Sequence, residues 1–369
     1  MIFLLKTNIL KSISLVIFSL LFSISALNAQ NGIKEFPDDF DDAVRGLDAM
    51  RIVFYNAENL FDPADDTAKF DESFTPEGGN HWSKYKYWVK QKKIAQVISA
   101  VGGWEAPAVV GLCEVENRHA LINLVSGTGL KKYKYSIVHH ESPDRRGIDV
   151  ALIYRKDKFL KLSDTAYQVR FPFDTASRTR DILYVKGLAL DADTIHIFVT
   201  HWPSKYGGAF VTIPKRKYVA KQIKKYSKEI LKKNINAKII IMGDFNDTPD
   251  DESVMQGLRP KSIDNFKDGD LINLMKTIDT HHLGTHFYGG GATGNEWSVL
   301  DQMIVSSGLL DGKKGLQIKN KKAHIFSAGF LLEYNAEGIV VPNRTFHGMK
   351  YHGGYSDHMP VYLDLEKGK

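Results

Sequence analysis

Residues 238–249 read Lys-Ile-Ile-Ile-Met-Gly-Asp-Phe-Asn-Asp-Thr-Pro. The apolar run before Gly243 is typical of a strand that is buried on both faces. We expect Gly243 to let the backbone turn sharply as it leaves this strand. Asp244 and Asn246 are two positions apart, so both side chains can point the same way from an extended tip. The pair could hold and deprotonate a water or contact a phosphate, or it could cap the loop as an Asx turn.

Polar side chains follow other apolar runs in the same way. Glu114 comes directly after the run 108–113 and is the best candidate for a metal ligand, with Glu116 as its rival. Carboxylates delivered by strand ends suit a hard divalent cation, which prefers oxygen ligands. Asn56 ends the first predicted strand, and its amide could hold Glu114 or a phosphate oxygen.

Two histidines accompany these acids. Asp301 is a single acid within one strand predicted over 297–305, and a buried carboxylate needs a partner such as a histidine N–H. We therefore pair Asp301 with His358, which follows Asp357 in a loop before the last strand. His201 ends another predicted strand and could donate to a leaving oxygen, but a histidine there is also commonly structural.

Other charged groups are weaker candidates for contacts with a phosphate or a polyanion. Arg146 is a candidate phosphate contact because a guanidinium fits phosphate oxygens, or it is a solvated charge pair. Basic clusters at 131–134, 215–233 and 313–322 could bind a polyanion backbone, or they could be solvated faces. Aromatic residues near them in sequence are Trp82, Trp88, Trp202 and Tyr206. The remaining histidines, among them His286, His347 and His352, show no zinc spacing.

Residues 1–29 have the pattern of a secretory signal peptide, with lysines before an apolar stretch and small residues near Ala29. An uncleaved membrane anchor is the alternative. Cleavage predicts a secreted or periplasmic protein with a polar linker over 30–49 and one domain over 50–367. Loss of Lys6 and Lys11 lowers the formal net charge from +6 to +4, which alone is no argument for nucleic acid. With Cys113 as the single cysteine, the chain has no internal disulfide.

The order of predicted elements indicates an α/β fold. Strands and helices alternate early, while strands neighbour strands in the middle and at the end. Pro214 is expected to open a long helix that reaches about Lys233, because proline suits a first helical turn. This order favours two mixed β-sheets packed face to face with helices on the outer faces.

Taken together and in this order, the segments from about Arg51 to Leu365 resemble the endonuclease/exonuclease/phosphatase superfamily. The resemblance depends on Asp-Phe-Asn after Gly243, Ser-Asp-His before the terminal strand and a glutamate after a buried strand. The stretch His-Trp-Pro-Ser-Lys-Tyr-Gly-Gly from His201 is similar to the exported bacterial branch. The resemblance implies a four-layer α/β sandwich.

The resemblance also implies a role for each residue. Glu114 would bind the metal with Asn56 beside it, and Asp357 would assist nearby. Asp244 would orient or deprotonate water and Asn246 would contact the phosphate. Asp301 and His358 would act as a pair on the phosphoryl group, and His201 matches the histidine that deoxyribonuclease and sphingomyelinase types place near the leaving group.

The expected protein is a Mg²⁺-dependent phosphoesterase, with Mn²⁺ as a possible substitute, that hydrolyses phosphodiesters by in-line attack of water. Nucleic acid is the first choice of substrate. A phospholipid headgroup or another small phosphoester is the alternative, and a non-catalytic polyanion-binding protein is the second. No stable protein partner is implied, and a monomer is expected.

Overall fold

The computed structural model describes residues 33–37, 39–278, 283–291, 294–312 and 315–368, so the predicted signal peptide lies outside the described part. Within it, the long helices are α1 Lys84–Gly102, α2 Arg118–Gly127 and α3 Ala209–Lys233. Short 3-10 turns lie at Glu72–Phe74, Gly129–Tyr133, Ser307–Leu309, Lys319–Lys321 and Gly329–Leu331, with a π turn at Ser253–Leu258. No helix among these combines the length and hydropathy that crossing a bilayer requires.

The strands are numbered along the chain. The first nine are β1 Ala49–Leu60, β2 Val109–Val115, β3 Ser136–His139, β4 Asp149–Tyr154, β5 Phe159–Tyr167, β6 Ile182–Ala189, β7 Asp193–His201, β8 Lys238–Asp244 and β9 Leu271–Asn273. The others are β10 His286–Gly291, β11 Gly294–Ser298, β12 Asp301–Ser306, β13 Leu316–Ile318, β14 His324–Ile325, β15 Leu332–Tyr334, β16 Val340–Pro342, β17 Phe346–His347, β18 Lys350–Tyr351 and β19 Val361–Lys367.

Two large sheets organise the domain. The first has the order β13-β19-β1-β2-β4-β3, with β14 also paired to β19, and the second has the order β5-β6-β7-β8-β12-β9. Each sheet contains one parallel pair, β1 with β2 and β7 with β8, among antiparallel neighbours. Both sheets are therefore mixed, as the sequence predicted.

Alternate side chains of each strand enter different layers, because successive side chains point to opposite faces of a sheet. Phe54 and Met242 meet in the core between the two sheets. On the outer face of the first sheet, Val53 packs with Val97 of α1. On the outer face of the second sheet, Ile241 packs with the α3 residues, among them Ile223. The prediction of a four-layer α/β sandwich is confirmed.

Helix α3 begins earlier than predicted. It starts at Ala209, so Pro214 lies inside the helix and does not open it. Proline has no N–H and leaves a carbonyl of the preceding turn without its helical donor. In the same turn, the Thr212 hydroxyl donates to the Gly208 carbonyl at 3.0 Å and Arg216 donates to the Ala209 carbonyl at 3.2 Å.

The single strand predicted over 297–305 is two strands. The chain leaves β11 at Ser298 and starts β12 at Asp301, and the two belong to different sheets. The Thr285 hydroxyl fixes the break, because it accepts the N–H groups of Leu300 at 2.9 Å and of Asp301 at 3.0 Å. Asp301 therefore stands at the first position of its strand and not in the middle.

Gly243 also acts differently from the prediction. Strand β8 continues through Asp244, and Gly243 is not among the glycines with positive φ. A Cβ at this position would collide with the carbonyl oxygen of Thr200 on β7. The glycine thus permits close approach of two neighbouring strands, and the turn comes later, at Asn246 with φ 52°.

Packing buries two of the candidate tryptophans and half-buries part of the predicted linker. Trp82 and Trp202 are fully buried, so neither side chain is exposed to contact a polyanion. Part of the segment predicted as a linker lies against the domain, since Phe40 packs on Phe326 and Arg45 donates to Asp364 at 3.1 Å.

Candidate active site

The first sheet brings three predicted site residues to one edge. Strands β1 and β2 are parallel, and antiparallel β19 begins where they end, because Val361 pairs with Phe54. The order β19-β1-β2 therefore sets His358, Asn56 and Glu114 side by side. This is the expected result when polar residues follow neighbouring strands that end at the same edge.

The second sheet supplies a matching row. In the parallel pair β7 and β8, His201 lies opposite Asp244. In the antiparallel pair β8 and β12, Asp244 lies opposite Asp301. The order β7-β8-β12 thus sets these three side chains in sequence along the edge of the second sheet.

The two rows face each other across the seam between the sheets. His358 Nδ1 lies 2.7 Å from Asp301 Oδ2. The Asn56 amide donates to Asp244 Oδ2 at 3.1 Å. His201 Nε2 lies 3.9 Å from Glu114 Oε1. Each residue of one row therefore has its counterpart in the other, and six side chains from distant parts of the chain form one buried or half-buried cluster.

The Asp301–His358 pair is shielded from solvent. Burial opposes the charge on His358, but the carboxylates of Asp301 and Asp244 outweigh it and raise the pKa of His358 well above its ordinary value. Nε2 of the same ring lies 3.7 Å from Asp244 Oδ2. The imidazole is therefore a buried cation that is oriented through Nδ1 and presents Nε2 to the centre of the site.

His201 has the opposite character. Its side chain is buried, and burial together with the cations Arg180 and Arg146 holds its pKa well below the ordinary value. Nε2 lies 3.6 Å from Asp244 Oδ2, while Nδ1 is buried without a hydrogen-bond partner. The site thus holds one neutral and one charged imidazole, which is a suitable combination for acid and base chemistry.

Asp244 links the loop geometry to the site. Its Oδ1 accepts the Asn246 N–H at 2.8 Å, which is an Asx turn, and its Oδ2 faces Asn56 and the two imidazoles. The Asx turn predicted for the Asp-Phe-Asn motif is therefore present, while Oδ2 of the same carboxylate lies within the cluster and its role toward water stays a prediction. Burial raises the pKa of Asp244 to about 6. The Asn246 amide donates to the Trp202 carbonyl at 3.0 Å.

A β-bulge separates Glu114 from its rival Glu116. Glu114 has φ 57°, and the pairing of β2 with β4 shifts register at this residue. Such a bulge redirects a side chain. Glu114 faces His201 and accepts the Asn59 N–H at 3.0 Å, with Arg146 at 3.8 Å. Glu116 is buried elsewhere and accepts the Asp62 N–H at 2.6 Å.

A sequence model of the Endonuclease/Exonuclease/phosphatase family matches residues 51–367. The chain belongs to this family. It is accordingly an enzyme, a metal-dependent phosphoester hydrolase. No curated protein matches the chain by sequence.

Solved structures of family members have the same fold. An endonuclease/exonuclease/phosphatase family protein of Bacteroides thetaiotaomicron is 17% identical with TM-score 0.54, over 86% of this chain and 94% of that chain. The mannosyl-6-phosphatase of the same organism is 17% identical with TM-score 0.53, over 86% and 99%. D. rerio TDP2 in complex with a single-strand DNA product is 13% identical with TM-score 0.51, over 86% and 99%.

Next to the candidate site lies an ion-pair cluster that was not predicted from the sequence. Arg344 bridges two carboxylates, Asp357 at 2.8 Å and Glu58 at 3.2 Å. Glu58 also lies 3.5 Å from the buried Lys90. Glu58 could have been recognised from the sequence, because it lies two positions after Asn56 on the same strand. No sequence pattern identifies Arg344, because it lies in an irregular segment and reaches the site only through folding.

The neighbouring cations His358 and Arg344 keep Asp357 ionised. Burial opposes ionisation, but His358 and Arg344 outweigh it and lower the pKa of Asp357 to about 2. His286, another residue not predicted, begins β10 and places its ring 4.7 Å from the His358 ring. Ligand atoms of His286, Asp357 and His358 lie within 4.8 Å of one another.

The donor set fits the divalent metal that the family uses. Glu114 on β2 and Asp357 just before β19 are ionisable oxygen donors at the same edge of the first sheet, with β1 between their strands, and such carboxylates are the ligands of hard cations. Asp301 also has a buried oxygen, Oδ1, without a hydrogen-bond partner. Both ends of the Asn56 amide are used within the protein, because its oxygen accepts the Glu58 N–H at 2.9 Å. Metal binding by Glu114, Asn56 and Asp357 stays a prediction.

Proposed function

We propose that the protein is an exported, Mg²⁺-dependent phosphodiesterase and that nucleic acid is its substrate. The observation that carries the proposal is the pair of facing rows, which sets a neutral and a cationic imidazole on either side of Asp244. In-line hydrolysis of a phosphodiester needs a base for water, a cation at the phosphoryl oxygens and a donor for the leaving oxygen.

The charge state of each side chain suits it to one of these three roles. Asp244, with its pKa raised by burial to about 6, is poised to accept a proton from the attacking water. His358, held as a cation by Asp301, donates Nε2–H toward a phosphoryl oxygen. His201 is neutral and its Nε2 faces the same centre, so in the Nε2–H tautomer it can donate a hydrogen bond to the leaving oxygen. When bound at Glu114 and Asp357, the metal would supply further charge neutralisation at the phosphate.

Exposed cationic and aromatic side chains near Glu114 and His201 support a polyanionic substrate. Arg146 is half exposed beside Glu114, and Lys205 lies in the loop that follows His201. Tyr206, the next residue, is almost fully exposed. An exposed ring flanked by cations can stack on a nucleotide base while the cations contact phosphates.

A specific observation favours a second substrate class. Tyr206, Phe210 and Val211 expose 93%, 87% and 73% of their surface in the loop and first helical turn after His201. Exposed apolar groups beside lysines could also rest on a lipid surface. A phospholipid headgroup is therefore the second candidate. Because a mannosyl-6-phosphatase has the same fold, small phosphoesters are included in the same experiment.

A substrate panel tests the proposal. Plasmid DNA, single-stranded RNA, sphingomyelin vesicles, mannose 6-phosphate and bis-nitrophenyl phosphate are assayed with Mg²⁺, with Mn²⁺ and with chelator. Nuclease function predicts metal-dependent cleavage of DNA or RNA at a higher kcat/KM than any other natural substrate. Cleavage of vesicles or mannose 6-phosphate alone would replace the nuclease assignment, and no hydrolysis at all would favour a binding protein.

The variant Tyr206→Ala separates the two substrate surfaces. It should raise KM for DNA and leave cleavage of bis-nitrophenyl phosphate unchanged, because that small substrate does not reach the loop. Phe210→Ala is the matched control, since a raised KM for vesicles in this variant would indicate a lipid surface. Export is tested by expressing residues 1–369 in bacteria and determining the N-terminus of the exported chain, which should begin near Gln30.

A further inference from the structure

A second group of metal-ligand side chains lies apart from the active site, on the surface formed by the small hairpins. Glu333 is on β15, His347 is on β17 and His352 follows β18. His347 Nε2 lies 3.1 Å from Glu333 Oε1, and His352 Nε2 lies 2.7 Å from Glu333 Oε2. Each of the two imidazoles therefore contacts one oxygen of the same carboxylate.

The geometry is close to that of a metal centre. One ligand atom of each residue lies within 4.8 Å of the others. Two histidines and one glutamate are a known ligand set for Zn²⁺, whose tetrahedral bonds of about 2.0–2.2 Å place ligand atoms about 3.3 Å apart. Only small side-chain movements would complete such a site.

Exposure allows these movements and leaves room for a water ligand. The side chains of His347, His352 and Glu333 are 47%, 41% and 24% exposed. Sequence spacing did not reveal the site, because the histidines are on either side of a hairpin and the glutamate comes from another one. Hairpin pairing brings His347 opposite Lys350, which leaves His352 just beyond the paired strands.

We propose that Glu333, His347 and His352 form a Zn²⁺ site that joins the β15–β16 hairpin to the β17–β18 hairpin. The alternative is a carboxylate that only hydrogen-bonds two imidazoles. Zinc replaces the two Nε2–H hydrogen bonds with two Zn–N bonds and retains the carboxylate as the third ligand; each imidazole stays neutral by exchange with solvent, which takes the Nε2 proton and leaves a proton on Nδ1. Water completes the coordination, so no electron transfer or bond cleavage is required.

The site would brace a segment that reaches the active site. Arg344 and Thr345 directly precede β17, and Gly353 donates back to the Thr345 carbonyl at 3.1 Å. The Thr345 N–H in turn donates to Glu58 at 2.8 Å. A metal at the hairpins would therefore order the chain that carries Arg344 toward Asp357.

Zinc binding to the full chain, stripped by chelator, tests the proposal by competition with a chromophoric chelator. The wild-type protein should bind one more equivalent of Zn²⁺ tightly than the double variant His347→Ala/His352→Ala, and Glu333→Gln should weaken that equivalent at least tenfold. Co²⁺ at the same site should give the visible absorption of a tetrahedral complex, which is lost in the double variant.

His119→Ala is the matched control, because His119 is an exposed histidine on α2 outside the cluster. It should retain the full zinc stoichiometry. The replaced side chains are partly exposed, so the metal-free variants should unfold at the same temperature as the metal-free wild type, and only the wild type should gain Tm with Zn²⁺. Equal stoichiometry, affinity and Co²⁺ spectra in the wild type and the double variant would overturn the proposal.

Discussion

Asp301 Oδ2 and His358 Nδ1 lie 2.7 Å apart although the two residues are 57 positions apart in the chain. The contact crosses from the second sheet to the first and is buried on both sides. It sets the orientation of the imidazole and keeps it charged.

Replacement of Asp301 should reduce turnover. Asp301→Asn removes the carboxylate that stabilises the His358 cation, so kcat for bis-nitrophenyl phosphate should fall by about 10²–10⁴. Asp164→Asn is a matched control, because Asp164 holds His140 at the same distance of 2.7 Å in an exposed pair. A comparable loss in both variants would remove Asp301 from the proposed mechanism.

Replacement of Glu114 should change metal dependence. Glu114→Gln is expected to raise the Mg²⁺ concentration for half-maximal activity at least tenfold, because an ionised ligand is lost. Glu116→Gln should leave the Mg²⁺ titration unchanged, since burial raises the pKa of Glu116 to about 9 and its carboxyl is already neutral near pH 7. Identical titrations of Glu114→Gln and wild type would contradict the metal role.

Stability should decrease in acid through His196. Burial and then Lys186 lower the pKa of His196 to about 4, while the unfolded value is near 6.5. Between these values the unfolded chain binds the proton and the native chain does not, so the free energy of unfolding falls as the pH drops from about 6.5 to 4. Urea midpoints of His196→Gln should show a weaker decrease over this range, and an unchanged decrease would assign it to other groups.

The Arg216–Asp247 ion pair should be costly to break. Arg216 Nε lies 2.6 Å from Asp247 Oδ2, and both side chains are buried. Arg216→Met leaves the buried Asp247 carboxylate with only the half-exposed Lys205 as a cation partner, at 3.3 Å, and should lower the free energy of unfolding by about 3–5 kcal/mol. The double variant Arg216→Met/Asp247→Leu should lose less than the single one in urea unfolding. A larger loss in the double variant would mean that packing of the two side chains, and not charge, dominates.

Nucleic-acid binding should depend on salt. Each phosphate that a lysine or arginine neutralises releases counterions, so the logarithm of affinity should fall linearly with the logarithm of salt concentration. Arg146→Gln should make the slope shallower by about one contact. A flat dependence measured with labelled DNA and Ca²⁺ in place of Mg²⁺ would point to lipid or small substrates.

The sheets and the two rows were predictable because both depend on local patterns. Apolar runs such as 238–242 identify buried strands, and polar residues directly after them mark the strand ends. Asp301 and His358 could be paired because a buried acid needs a partner. This pairing implied that the two rows face each other. It did not predict the other contacts between them, such as the one between Asn56 and Asp244.

The remaining features depend on long-range contacts that leave no periodic signal. Arg344 reaches Asp357 and Glu58 from an irregular segment. The division between β11 and β12 depends on the Thr285 hydroxyl, which lies 15 positions before Leu300. Gly243 was recognised as special, but its reason, contact with Thr200, exists only after two strands have paired.

The pairing of β19 with β1 has a consequence for biosynthesis. The Ser356 hydroxyl donates to the Asn56 carbonyl across 300 positions of the chain, and His358 lies two positions after Ser356. A nascent polypeptide on the ribosome therefore carries one row of the catalytic centre long before the last member of the other emerges. With His358 in its proposed role, hydrolytic activity can begin only after translation has passed this segment.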